Sequence, residues 1–160
     1  RFYVYLNQKK FKLAEEYYNK TIDAGFYAYP TTDSIDIAYL YMETGREKEA
    51  VRILESCIKS TEKDFENNPS APDSWFSTFN LRLAMSYAIL GENEKALKFL
   101  SEAQKYGFPA GYQYYIEHYA PFENLWDHPD FKAIIKRAQD ESAAIREQVK
   151  QMEDWGEIHL

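Results

Sequence analysis

The feature that most constrains this chain is a pattern of six positions that occurs twice. The pattern is a small residue, an aromatic residue three positions later, then glycine, alanine, a large apolar residue and a second small residue at steps of four, five, four and three. A segment that repeats in this way is one supersecondary unit, and such units bury their apolar faces by stacking on their neighbours. The two copies are Ala38, Tyr41, Gly45, Ala50, Leu54 and Cys57, and Ala84, Tyr87, Gly91, Ala96, Leu100 and Ala103.

A weaker copy precedes these two near the start of the chain. It has phenylalanine at the first small position and lysine at the glycine position. A second feature supports it, because the interval from Ala14 to Gly25 equals that from Ala96 to Gly107, and the two pairs are 82 residues apart. The residues of this copy are Phe2, Tyr5, Lys9, Ala14, Tyr18 and Thr21.

The spacing within a copy is typical of two antiparallel helices. Small residues let the helices approach closely, the tyrosine and leucine fill the space between them, and the glycine ends the first helix at a positive φ. We therefore predict an all-α fold of about seven helices, with hairpins over about 1–30, 31–68 and 73–107. The longer interval before the last copy predicts a taller hairpin, with a helix to about Glu66, a loop over 67–72 and a new helix from Asp73 or Ser74.

The spacing of Ala38, Tyr41, Gly45 and Ala50, and of the matching residues in the next copy, resembles the tetratricopeptide repeat. The resemblance covers about residues 1–107 and implies a right-handed superhelix of helix hairpins that mediates protein–protein contact. The chain differs from the family in its repeat intervals of 36 and 46 residues. Where the family has an aromatic residue near the start of the first helix, this chain has Ser34 and Asn80.

Residues 108–160 leave the repeat pattern and are predicted to form capping helices. The frame Phe122-x-x-Leu125-x-x-x-Pro129-x-Phe131-x-x-Ile134 resembles the segment that closes tetratricopeptide arrays in many multidomain bacterial regulators, cyclases and kinases. This resemblance, and a helical pattern already under way at the first residue, lead us to expect the C-terminal module of a longer, bacterial polypeptide.

The last helix, predicted over about 129–154, has a small or apolar residue at alternating steps of four and three. This is a heptad seam of only about three repeats. The helix has two interpretations. It forms a solvent-facing cap along the array, or its seam binds a partner or a second copy of the chain to form a homodimer. The seam residues are Phe131, Ile135, Ala138, Ser142, Ile145, Val149 and Met152.

Composition argues against several classes of partner. The chain has 19 Lys and Arg against 26 Asp and Glu, a net charge of -7, so we expect no nucleic-acid partner because binding through counterion release needs clustered cations. Its apolar runs are only a few residues long, so we expect no membrane insertion. The single cysteine cannot form an internal disulfide and does not indicate a cellular compartment.

We expect no catalytic residues, no metal and no cofactor in this chain. The sequence has neither a glycine-rich phosphate loop nor a serine nucleophile motif. His118, His128 and His159 do not share the spacing of metal ligands. Cys57 occupies a small-residue position of the repeat, which predicts a buried structural side chain.

Partner-binding residues are predicted on the concave wall that the first helix of each hairpin forms. This wall is apolar and aromatic, and it lacks the basic residues with which some tetratricopeptide domains bind a carboxylate terminus. It suits an amphipathic helix or an extended apolar peptide, unless the chain's own last helices or a missing N-terminal portion cover it. The predicted partner-binding residues are Tyr3, Ile35, Tyr39, Met42, Glu43, Leu81, Met85, Ile89, Tyr112 and Tyr115.

Three functions are consistent with these patterns. The first is a non-catalytic protein–protein interaction or scaffold module with an apolar, aromatic concave groove. The second is an effector-sensing regulatory domain that binds a small molecule near Tyr112, Tyr115, Tyr119 and Trp126 and signals to an attached domain. The third is a structural spacer that binds no ligand.

Overall fold

A computed structural model of this protein describes residues 2–24, 32–108 and 116–154. All regular secondary structure in these ranges is helical. No strand occurs in those ranges, and the all-α prediction is confirmed. None of the helices described there is both long enough and apolar enough to cross a membrane. They are α1 (Phe2–Asn7), α2 (Phe11–Asp23), α3 (Thr32–Glu43), α4 (Glu47–Asn67), α5 (Asp73–Ile89), α6 (Asn93–Lys105), a 3-10 helix (Ala120–Leu125) and α7 (Pro129–Asp154).

The first six helices form three antiparallel hairpins, α1 with α2, α3 with α4 and α5 with α6. Contacts between α2 and α3 and between α4 and α5 join neighbouring hairpins, and α7 packs on α6. The order of elements along the stack therefore follows their order along the chain. Among the described residues, the first hairpin and α7 lie at opposite ends of this order.

The repeat positions lie where helices are in closest contact. All five alanines of the two complete copies, together with both leucines, are fully buried. The aromatic position is half-buried, and its ring packs against the second helix or the turn. Tyr87 stacks on Phe99 with ring centres 5.5 Å apart, and the guanidinium of Arg46 lies 3.6 Å from the centre of the Tyr41 ring. The small side chains thus set the close approach of the helices, and the rings seal the open edge of each hairpin.

The repeat glycines end α3 and α5 as predicted. Their φ angles are 82° at Gly45 and 75° at Gly91, which is left-handed backbone that favours glycine. The next amide then donates to a carbonyl five residues earlier, over 2.8 Å from Arg46 to Tyr41. The equivalent bond after Gly91 is 2.9 Å long. These bonds satisfy helix-end carbonyls, so both hairpins turn in the same way.

The weaker first copy makes the same turn without glycine. Lys9, at the glycine position, has a φ of 55°, and the amide of Lys10 donates to the carbonyl of Tyr5 at 2.8 Å. A side chain in this region is disfavoured by about 1–2 kcal/mol. The first hairpin therefore adopts the shared turn at a local cost, which the packing of α1 on α2 offsets.

The extra residues before the third hairpin lengthen two helices. Helix α4 of the second hairpin has 21 residues and α5 of the third has 17, so the adjacent α4–α5 pair extends past α3, with 12 residues, and α6, with 13. Aromatic rings fill the far end of this pair, where Phe65 lies 5.6 Å from Phe76 and 5.1 Å from Phe79 between ring centres. The additional length is thus stabilised by its own apolar contacts.

We expect Gly91→Ala to destabilise the protein by about 1–2 kcal/mol, because alanine disfavours left-handed backbone. Steric conflict does not contribute, since no atom lies within 4 Å of the added Cβ. Gly91→Asn is the matched control and should cost less, since asparagine tolerates this conformation. Urea denaturation measures both free energies of unfolding, and a Gly91→Ala variant as stable as the wild type would contradict this role for the glycine.

Candidate interaction surface

Residues 116–126, which we call the strap, lie against the first helices of the hairpins. The strap includes the 3-10 helix and precedes α7. Ile116, Tyr119, Phe122 and Leu125 of the strap are fully buried. They belong to one apolar cluster that also contains Ile35 of α3 and several residues of α5. The strap is therefore part of the core.

The strap also contacts the first hairpin. The amide of Ala120 donates to Oδ1 of Asn7, at the end of α1, over 3.4 Å. The side chain of Glu123 forms an ion pair with Lys9 in the turn that follows α1. The strap thus bridges elements of all three hairpins, and it joins them independently of the contacts between adjacent hairpins.

A buried hydrogen bond fixes the strap to α3. The hydroxyl of Tyr119 donates to a carboxylate oxygen of Asp36, and both residues are fully buried. A buried carboxylate is costly unless it is hydrogen-bonded, so this bond couples the position of the strap to that of α3. Sequence analysis missed Asp36; the available signal was an acidic residue between Ile35 and Ile37, within an apolar stretch of a helix.

Charged groups surround the edge of the strap near Tyr39. Burial raises the pKa of the Tyr39 phenol well above its ordinary value, and the carboxylates of Glu43 and Glu123 raise it further. The hydrogen bond to Glu123 raises the pKa of Lys9. Tyr39 therefore stays neutral and Lys9 stays charged across physiological pH. The Lys9–Glu123 pair is largely exposed, so solvent screening leaves it a small share of the stability.

The structure divides the predicted partner-binding residues into groups by exposure. Tyr112 and Tyr115 lie outside the described residues. Ile35, Tyr39, Leu81 and Met85 are buried, Met42 and Ile89 are half-buried, and Tyr3 and Glu43 are exposed.

The strap covers much of the predicted wall. Ile35, Leu81 and Met85 share their apolar cluster with it, whereas Tyr3 lies apart and packs beside Phe2, with 5.0 Å between ring centres. The buried residues are therefore inaccessible to a partner in this structure, and of the two alternatives for the wall, open or covered by the chain's own C-terminal part, the structure has the second. The physical reason is that an uncovered wall of this composition would expose a large apolar area to water.

Exposed large apolar side chains, among the residues that the structure describes, lie in three places away from the covered wall. One is the first hairpin, one is the far end of the third hairpin, where α5 begins and α6 ends, and one is α7. In that order they are Tyr3, Val4, Leu13 and Ile22; Trp75 and Tyr106; and Ile145 and Met152.

Helix α7 has two halves with different surroundings. Its first half buries Phe131, Ile134 and Ala138 among its apolar side chains. Gln104 of α6 then donates to Glu141 at 2.8 Å. From 139 to 153 no side chain of α7 is buried, and Ile145 is 59% exposed. Only the first half of the predicted seam therefore serves as a cap.

A pocket of ≈ 360 Å³ lies between the strap and α7. Aromatic and aliphatic side chains form part of its wall, and two lysines one helical turn apart lie at its edge. Lys132 pairs with Asp127 at 3.1 Å and Lys136 with Asp140 at 2.9 Å. The lining residues are Glu117, Trp126, Phe131, Lys132, Ile135, Lys136 and Gln139.

The cysteine thiol and the side chains that could bind a metal ion show no arrangement for catalysis in the part of the chain that the structure describes. Cys57 is buried, and burial raises the pKa of its thiol against a smaller opposing effect of Arg82. A thiol in this setting is mainly protonated and a poor nucleophile. Over the three described ranges, no three His, Cys, Asp or Glu side chains are grouped so as to hold a metal ion.

Comparison with known proteins identifies the second hairpin. Residues 35–64 match the family model of the tetratricopeptide repeat, a span that begins within α3 and ends within α4. No curated protein and no solved structure matches the chain. The chain thus contains a tetratricopeptide repeat within an all-α fold of that type. Repeats of this family generally mediate protein–protein interaction or scaffolding and are typically non-catalytic.

We expect Tyr119→Phe to lower the free energy of unfolding by about 1–3 kcal/mol, because it removes a donor from the buried Asp36 carboxylate. Tyr106→Phe is the matched control and should change stability by less than about 0.5 kcal/mol, since Tyr106 is 41% exposed. Denaturant unfolding measures both.

Asp36→Asn completes the comparison. If the two side chains act as a pair, the double variant should lose less stability than the sum of the single variants. Equal losses for Tyr119→Phe and Tyr106→Phe, or strict additivity in the double variant, would contradict a coupled contact.

Proposed function

We propose that this protein is a non-catalytic protein–protein interaction or scaffold module whose accessible contact surfaces lie at the two ends of its hairpin stack. The tetratricopeptide repeat at 35–64 supports the interaction role. The observation that carries the location is that the inner wall is covered, whereas six of the eight exposed large apolar side chains in the described ranges lie on the first hairpin and on α7. Exposed apolar groups clustered on terminal elements are typical of protein-binding surfaces.

The energetics of the strap favour the ends over the wall. Burying one large apolar side chain stabilises by about 1.5–3 kcal/mol, so the four fully buried strap residues contribute at most about 6–12 kcal/mol together. A partner of micromolar affinity gains only about 8 kcal/mol in total. Such a partner would use most of that free energy to displace the strap.

The predicted wall still contributes to this proposal through its open residues. Tyr3 and Glu43 are exposed, and Met42 and Ile89 are half-buried, so a partner reaches them without moving the strap. The strap is itself an apolar segment bound to the wall, and this supports an affinity of the wall for other apolar segments. Ile35, Tyr39, Leu81 and Met85 would contact a partner only after the strap had left.

The first hairpin offers a direct test. We expect Val4→Glu combined with Leu13→Glu to abolish partner capture, because the charges replace two exposed apolar side chains of this hairpin, Val4 at 55% and Leu13 at 39% exposure. Gln8→Glu combined with Asn19→Glu adds the same charges at exposed polar positions and should preserve capture. Quantitative affinity purification compares the proteins retained by each variant, with circular dichroism to verify folding. Identical retention by both folded variants would contradict a partner surface on this hairpin.

A small-molecule role is the second candidate, and the pocket beside Trp126 favours it. Its apolar wall and its two lysines suit a compact anion with an aromatic body. Of the tyrosines predicted for this role, Tyr119 is fully buried and bonded to Asp36, so Trp126 is the residue that a ligand reaches.

An aromatic sulfonate, anilinonaphthalene sulfonate, is a suitable probe of this pocket. Its fluorescence should rise on binding the wild type, and Lys132→Glu combined with Lys136→Glu should weaken binding about tenfold or more by reversing both charges. Lys63→Glu combined with Lys150→Glu is the control, since both lysines are exposed elsewhere. Equal binding by the two double variants would exclude this pocket as an anion site.

A further inference from the structure

We propose, resting on the interaction role proposed above, that the distal half of α7 binds the same segment of a second copy of this chain in a parallel, in-register pair. The segment runs from about 141 to 153. The partner at this end of the stack is thus a second copy.

The exposed part of the heptad seam carries this inference. Ile145 is 59% and Met152 is 37% exposed, and Val149 between them is half-buried. Their steps of four and three place them on one stripe of the helix, the arrangement by which two helices pair in a coiled coil. Since no side chain from 139 to 153 is buried, this stripe is accessible to a second helix.

The charges beside the stripe favour a parallel orientation. With Ser142 and Val149 at the a positions of the heptad, Glu141 takes a g position and Arg146 the following e position. In a parallel pair these positions face each other across the interface, so Glu141 of each copy lies opposite Arg146 of the other. Two attractive pairs therefore form for each dimer.

The antiparallel pair that buries the whole exposed stripe lacks this complementarity. If Ile145 of one copy packs against Val149 of the other, the e positions of the two copies meet near the centre. Both are Arg146, and two like charges face each other. In this register the antiparallel pair is therefore disfavoured relative to the parallel pair, because the two Arg146 side chains repel each other.

Intramolecular contacts place these charges at the start of the pairing segment. Glu141 accepts the bond from Gln104, and Arg146 Nε donates to the carbonyl of Ser142 at 3.1 Å. The Gln104 contact lies close to the last buried position of α7, beyond which the helix has no buried side chain up to residue 153. The pairing segment is short, about 18 Å at 1.5 Å per residue. A weak dimer, with a dissociation constant of the order of 100 μM, is therefore expected.

Sedimentation velocity over a concentration series tests the self-association. The wild type should shift from the mass of one chain toward that of two, and Ile145→Asp should remove the shift by placing a charge in the stripe. Ala144→Asp introduces the same side chain at an exposed position outside the stripe and should dimerise like the wild type. A wild type that stays monomeric to about 1 mM, ten times the expected constant, would overturn the proposal.

Charge reversal tests the orientation. Glu141→Arg and Arg146→Glu should each raise the dissociation constant of the dimer at least about tenfold, because each substitution places like charges opposite one another. An equimolar mixture of the two variants should recover the wild-type affinity, since both facing pairs become attractive again. Failure of the mixture to recover, with a dimeric wild type, would overturn the parallel register. A monomeric wild type or a mixture that does not recover would leave the result of the Val4 and Leu13 test unchanged. Failure of this dimer is therefore distinguishable from failure of the proposed interaction role.

Discussion

Covering the apolar faces of the hairpins is the constraint on which the rest of this structure depends. A helix hairpin buries only the contact between its own two helices, and its outer stripes remain apolar. Contacts between adjacent hairpins cover the stripes within the stack, and α7 covers α6 at one end with Phe131, Ile134 and Ala138. The inner faces of the first helices need a separate cover, which the strap supplies. The C-terminal third is therefore part of the core.

The strap combines apolar area with one specific polar contact. Apolar surfaces alone define position poorly, because they tolerate sliding. The bond from Tyr119 to Asp36 requires one alignment of strap and α3, since any other would leave a buried carboxylate without this donor. Lys9 with Glu123, and Asn7 with Ala120, align the strap with the first hairpin. A wall that in other arrays is open to partners is in this chain engaged internally.

The covered wall changes where a partner can bind. Apart from Trp75 and Tyr106, the exposed large apolar side chains of the described residues lie on the first hairpin and on α7. Under the proposed role, a partner would bind at these elements and not at the wall.

Local patterns in the sequence predicted the helices, the turns and the stacking. The six-position repeat places Gly45 and Gly91 in the turns and buries Ala38 and Ala84, because helix periodicity and glycine conformation are decided within a few residues. Lys9 shows the limit of such reasoning, since the first hairpin makes the glycine turn without glycine.

The sequence by itself determined the all-α hairpin stack and the stripe on the last helix. Only the tertiary structure decided that the wall is closed and that this stripe is half buried and half exposed. Both outcomes depend on contacts between residues distant in the chain, such as Asp36 with Tyr119, which no local period encodes. The periodicity of a helix shows which of its faces is apolar. Which segment covers that face depends on how all the apolar surfaces of the chain pack together.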